Sequence, residues 1–414
     1  MKKYDAYMPS GIDWIGEIPE EWELKRGRYI VKLLSGFPAD SNLFTDDDSF
    51  MPLIRIRDID NTTTEVFYKG DYPKEYLIQY NDVLVGMDGD FNIAKWKGSN
   101  AILNQRVCKI IETDEMLADY AYYLFQTPLK LINDVTYSTT VKHMSTNDIK
   151  DFRFPVPPLS EQIAITKYLD TWCTKIDNVI AIQQKRIELL KELKQSIITK
   201  AVTKGLDKTA KMKDSGIEWI GEIPEMWRLK RGRFIVKLLP GFPADSNLFT
   251  DDDTFMPLIR IRDIENTTTE VFYKGDYPKE YLIQANDVLV GMDGEFNIAK
   301  WKGSDAILNQ RVCKIIETDE MLENYAYYLF QTPLKLINDV TYSTTVKHLS
   351  TNDIKDFRFS VPPLSEQTAI ADYLDKKCAT IDKQILKVEK QIELLKEYKQ
   401  SVITECVTGK RKVC

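Results

Sequence analysis

Residues 11 to 204 of this 414-residue chain return almost unchanged about 205 positions later. SGIDWIGEIPEEW at Ser10 is answered by SGIEWIGEIPEMW at Ser215, VLVGMDGDFNIAKWKGS at Val83 by VLVGMDGEFNIAKWKGS at Val288, and VPPLSEQ at Val156 by VPPLSEQ at Val361. Whatever one half folds into, the other must fold into as well. A protein that does one job twice implies a target with two equivalent parts.

Each half contains two sections of different period. The first, Trp22 to Val156 and Trp227 to Val361, is rich in β-branched and aromatic residues broken by Gly, Pro, Asn and Asp. PLIRIRDI at Pro52 alternates apolar and charged side chains, which predicts a half-buried strand. NDVLVGMDG at Asn81 reads as turn, inner strand and turn, and AILNQRVCKII at Ala101 as a further strand. DEMLADYAYYLFQTPLKLIND at Asp114 carries Leu117, Ala121, Leu124 and Phe125 at helical spacing, so a helix ending near Pro128 is expected.

The second section begins at VPPLSEQ. Two prolines end the globule, and Ser160 with Glu161 and Gln162 starts a helix. From there to about Thr203 roughly 44 residues contain no Gly or Pro, enough for a helix of about 65 Å. Leu169, Cys173, Ile176, Ile180, Gln183, Ile187, Leu190 and Ile197 mark one seam; Leu374, Cys378, Ile381, Ile385, Val388, Ile392, Leu395 and Val402 mark the other. This is a coiled-coil pattern of about four heptads. A helix with one apolar seam needs a partner, and the expectation is that the two pair with each other, antiparallel. Gln183 stands where the second copy has Val388, a polar residue in the seam.

The expected fold is α+β: two mixed, mostly β domains separated by two long helices in an antiparallel coiled coil, in a pseudo-twofold cyclic arrangement. The expected boundaries are an N-terminal segment at 1–21 that closes the ring, a domain at 22–156, a helix at 157–204, a connector at 205–226, a domain at 227–361, a helix at 362–408 and a tail at 409–414. The segment at 1–21 repeats the end of the connector, so it should lie near the end of the second helix.

Hydrophobic content of 43% and charged content of 29% are those of a globular protein. No stretch approaches 18 apolar residues and no apolar run follows the N-terminal lysines, so a soluble, cytoplasmic chain without membrane contact is expected. The cysteines form no CxxC pair, which points to a reducing compartment. His143 and His348 are the only histidines and occupy one repeat position, too few for a metal site. The formal net charge of -7 argues mildly against a general nucleic-acid coat protein, and leaves open a reader whose cations lie on one surface.

The order of globule, PPLSEQ, long helix, SGIEWIGEIPEMW connector, globule, PPLSEQ and long helix resembles the DNA specificity subunit of type I restriction-modification systems over essentially the whole chain. The most specific pieces are PPLSEQ at Pro157 and Pro362, the SGI-x-WIG-x-IP-x-x-W segments, and NDVLVGMDG followed by ILNQRV. The resemblance implies that each globule is a target-recognition domain reading half of a split site in double-stranded DNA. It implies that the paired helices set the half-site distance and dock modification subunits, two in number, with a restriction subunit joining them. S-adenosylmethionine and ATP would then sit on those partners, and this chain would carry no cofactor and catalyse nothing.

The residues agree with a non-enzymatic role. An adenine methyltransferase needs a Gly-rich cofactor loop and an Asn/Asp-Pro-Pro-aromatic motif. The Pro-Pro pairs here stand in Val-Pro-Pro-Leu, and GMDGD at Gly86 has the spacing of a turn. TDDDSF at Thr45 reads as a solvated loop. The competing reading is a scaffold outside DNA metabolism, a coiled coil presenting two identical protein-binding domains.

Four clusters carry side chains suited to DNA. Arg55 and Arg57, repeated as Arg260 and Arg262, would share a strand face; their alternative role is ion pairing to Asp58 or Asp60. Asn92 and Lys95, repeated as Asn297 and Lys300, flank Trp96, itself read as core. Asn104, Gln105 and Arg106, repeated as Asn309, Gln310 and Arg311, suit adenine and guanine edges or a structural turn. Ser138, Thr139, Lys142 and His143, repeated as Ser343, Thr344, Lys347 and His348, form a hydroxyl-rich loop suited to the backbone. Between Trp22 and Phe152 the copies differ at about a dozen positions, the largest being Tyr80 to Ala285, and every candidate is identical in both. Two identical readers related by a twofold axis predict an interrupted palindrome.

Overall fold

The computed structural model describes residues 3–89, 91–135, 144–294, 296–340 and 349–413. It divides into two units, Met1–Gln184 with Lys390–Cys414, and Lys185–Glu389. The first is therefore assembled from both ends of the chain.

In the first unit the globule holds two main sheets. A five-stranded sheet runs in the order Phe44–Thr45, Phe67–Tyr68, Met51–Ile54, Ala101–Leu103, Leu77–Ile78. A four-stranded sheet runs Ile93–Lys95, Val83–Gly86, Val107–Ile111, Lys32–Ser35. Met51–Ile54 and Ala101–Leu103 are parallel, with Leu53 opposite Ile102. Val83–Gly86 and Val107–Ile111 are antiparallel, with Val85 opposite Cys108. VLVG is buried at all four positions, which is why it reads as a continuous apolar run. Trp96, Leu84, Leu103 and Ile54 make one core between the sheets. Trp22, Val85, Phe125, Phe154 and Leu169 belong to a second, which joins the globule to the long helix.

Three local readings are corrected. The strand expected through PLIRIRDI stops at Ile54, and Ile56–Asp58 is a 3-10 turn. Asp58 causes this: its carboxylate accepts from the backbone N–H of Arg55 at 3.1 Å and closes the turn on itself. AILNQRVCKII is two strands, Ala101–Leu103 and Val107–Ile111, in different sheets. The helix expected to end near Pro128 is two helices, Ala118–Leu124 and Gln126–Val135. Pro128 falls in the first turn of the second, where a missing N–H costs nothing.

The long helices are Leu159–Lys204, of 46 residues, and Leu364–Val407, of 44. Leu169, Cys173, Ile176 and Ile180 are buried, as are Leu374, Cys378, Ile381, Ile385, Val388, Ile392 and Val402, where the spacing put them, whereas Gln183, Ile187, Leu190, Ile197 and Leu395 are only half-buried and Ile198 is buried in place of Ile197. In the first unit Asp177, early in one helix, pairs with Lys399, late in the other, at 2.7 Å. In the second unit Lys194, late in its helix, pairs with Asp382, early in the other, at 2.7 Å. Each unit thus contains an antiparallel helix pair.

The N-terminal hairpin, Tyr7–Pro9 with Glu17–Pro19, lies in the first unit against the end of the second long helix. The Tyr7 hydroxyl donates to the Gly409 carbonyl at 3.1 Å, and Ile15, Ile18 and Trp22 share a core with Val402, Cys406 and Val407. In the second unit Met212–Asp214 and Glu222–Pro224 make the corresponding hairpin, and Ile220, Ile223 and Trp227 pack with Ile198, Ala201 and Val202.

Candidate functional site

The globule of the second unit has its own five-stranded and four-stranded sheets, and Asn309, Gln310 and Arg311 form the link by which the chain leaves the former at Leu308 and enters the latter at Val312. The link is held tightly. Asn309 is buried, its backbone N–H donates to the Ile259 carbonyl, and its Oδ1 accepts from the N–H of Arg311 at 3.2 Å. Gly241 passes so close that a Cβ there would lie 2.0 Å from the Asn309 carbonyl oxygen, so only glycine fits. Rigid backbone on both sides leaves the Gln310 and Arg311 side chains projecting from a fixed base.

A cleft of about 670 Å³ opens beside this link. Its lining includes Arg260, Arg262, Asn297, Asn309, Gln310 and Arg311, six of the sequence candidates, brought together from separate stretches of chain. Arg262, Asn297, Gln310 and Arg311 are exposed. Arg260 is half-buried, and its Nε bonds Asp263 at 2.9 Å, so its first task is to hold the 3-10 turn. Arg311 pairs with Asp293 at 3.0 Å. Arg311 is the exposed partner of this pair, and a guanidinium so placed also suits a phosphate or a guanine edge.

The first unit repeats these contacts. Arg55 bonds Asp58 at 2.9 Å, Arg106 pairs with Asp88 at 3.1 Å, and Asn104 is buried with its Oδ1 on the N–H of Arg106. Arg57, Asn92 and Gln105 are exposed. Arg55 and Arg57 do not share a strand face, because the chain is no longer a strand there.

Lys95 and Lys300 are placed elsewhere. Each lies against the long helix of its unit, Lys95 at 3.4 Å from Asp170 and Lys300 at 2.9 Å from Asp375. Trp96 is buried, its indole N–H on the Ser99 carbonyl at 2.7 Å. Ser138, Thr139, Lys142, His143, Ser343, Thr344, Lys347 and His348 lie outside the described residues. Tyr80 is 66% exposed, so its exchange for Ala285 is a surface difference.

Two residues that matter were not among the candidates. Gln162 is fully buried; its Nε2 donates to the carbonyls of Glu115 and Pro157, and its Oε1 accepts from Leu117. Glu161 accepts from the Trp22 indole. Their signal was the PPLSEQ motif itself, in which Glu161 and Gln162 read as part of a helix start.

Among the described residues no helix is long and apolar enough to cross a membrane, and no group of three or more His, Cys, Asp or Glu side chains is arranged to hold a metal.

The family model described as "Type I restriction modification DNA specificity domain" matches residues 19–192 and 243–394. The EcoBI specificity subunit of Escherichia coli is 28% identical over 96% of this chain and 88% of its own length. The MjaVIII specificity subunit of Methanocaldococcus jannaschii is 24% identical over 96% of this chain and 94% of its own. A chain from a solved type I restriction-modification structure covers 94% of this one and 98% of itself, with a TM-score of 0.70 at 15% identity, a likeness of fold. The chain belongs to the type I restriction-modification DNA specificity family, as one of its sequence-reading, non-catalytic subunits. The scaffold alternative is not favoured.

Proposed function

We propose that the two globules read the two halves of an inverted-repeat, bipartite DNA site, each through the cleft beside its Asn-Gln-Arg link, and that the paired helices dock two modification subunits. One observation carries the reading: six candidates far apart in sequence line one cleft, on a base made rigid by Asn309 and Gly241. Gln310 and Arg311 supply an amide and a guanidinium for base edges, and Arg262 a cation for the backbone. Because the candidate side chains are identical in both copies, the half-sites should match. The helix pair inside each unit is antiparallel, which favours inverted over direct order. Selection of randomised duplexes by the complex with its modification subunits tests this. Matching inverted halves are expected; two unrelated halves would refute it.

A further inference from the structure

Lys95 ends the strand Ile93–Lys95, yet its side chain is only 16% exposed. Its ammonium lies 2.7 Å from Asp119 of the globule and 3.4 Å from Asp170 of the long helix. The rings of Tyr122 and Tyr123 stand 5.2 and 5.6 Å from it, within range of cation–π attraction. The Tyr123 hydroxyl donates to the same Asp170 at 2.5 Å. Burial and that bond push the hydroxyl well above the ordinary tyrosine range, so it stays a donor.

The second unit gives an independent version. Asp119 is replaced by Asn324, so the globule's carboxylate is gone. Lys300 stays on Asp375 at 2.9 Å, between Tyr327 and Tyr328 at 5.1 and 5.3 Å, and Tyr328 donates to Asp375 at 2.5 Å. What both copies retain is the pair of bonds from the globule to one helix carboxylate. A short-range, half-buried charge contact of this kind resists rotation better than a greasy face, because its hydrogen bonds are directional.

We propose that Lys95 and Lys300 are positioning residues: with Tyr123 and Tyr328 they fix the orientation of each reading globule on its long helix, and so hold the number of bases between half-sites to one value. This rests on the bipartite reading above. Because each lysine is engaged with a carboxylate of the helix, its loss should change the spacing read and leave the bases read unchanged.

The test is methylome sequencing of cells expressing the full complex with its modification subunits. K95M/K300M keeps the stem length and removes the charge. The native site is expected to persist, with methylation at spacings one base pair longer or shorter rising by about tenfold relative to it. K95R/K300R should keep the single spacing. Unchanged spacing in the methionine variant overturns the proposal, as does loss of base identity within a half-site, which would make these lysines DNA contacts. If that variant does not accumulate, D170N/D375N is measured in its place and the same two outcomes decide. A wild-type complex that marks no bipartite site fails the functional reading itself, and the lysine proposal with it.

Discussion

The indole nitrogen of Trp22 donates to Glu161 at 2.9 Å, and Trp227 makes the same bond to Glu366 at the same distance. Two motifs far apart in sequence are thereby one device: the WIG-x-IP-x-x-W segment is pinned to the first turn of the long helix. Both tryptophans are 1% exposed, so an indole N–H left without an acceptor has no water to turn to. Glu161→Ala should lower stability by about 1–3 kcal/mol, and Glu161→Gln, which keeps an acceptor, by less. Urea denaturation checks both; equal stability of Glu161→Ala and wild type would contradict the bond's importance.

Side chains in the cleft should separate by salt dependence. Arg57→Ala with Arg262→Ala should weaken all duplexes alike and reduce the slope of log K against log salt by about one for every phosphate that is no longer neutralised. Gln105→Ala with Gln310→Ala should relax one position in each half-site by about 1–3 kcal/mol and leave the slope unchanged. Binding titrations of the assembled complex over a range of salt distinguish the two.

The large features were legible because each rests on a repeated local pattern. The seam from Leu169 to Ile180 shows as heptad spacing, and VLVG as a buried strand. What was not legible depended on side-chain contacts that periodicity does not carry. I-R-I-R-D alternates like a strand, but Asp58 reaches back to Arg55 and closes a turn. Lys95 has the composition of a phosphate contact, and only the fold brings Asp170, 75 residues on, to within 3.4 Å. The clustering of Arg262, Asn297 and Gln310 could not be read, since it arises where two sheets meet.

Residues 1 to about 210 alone should dimerise and rebuild the reader. Two contacts that the first unit takes from the end of the second helix have counterparts at the end of the first. Tyr120 donates to the Val407 carbonyl and Tyr325 to that of Val202; Asp177 pairs with Lys399 and Asp382 with Lys194. Sedimentation should show a dimer, and a monomer would contradict the equivalence of the two helix ends.

Cys108 and Cys313 are fully buried, and burial pushes their thiols up to about 12. At pH 8 the thiolate is about one part in ten thousand, against roughly a quarter for a free thiol. Mass spectrometry after iodoacetamide should find both unmodified in the native protein and both modified in denaturant. Because the folded value is raised, the stability they contribute is fully present below the ordinary thiol range and declines as pH rises from about 9 towards 12.

One reader, present twice, should see one half-site twice. Sequencing the methylated bases of cells expressing the complex with its modification subunits is the decisive measurement. A single interrupted palindrome with one spacer length, marked in both halves, is predicted; two different half-sequences, or the same sequence in direct order, would contradict it.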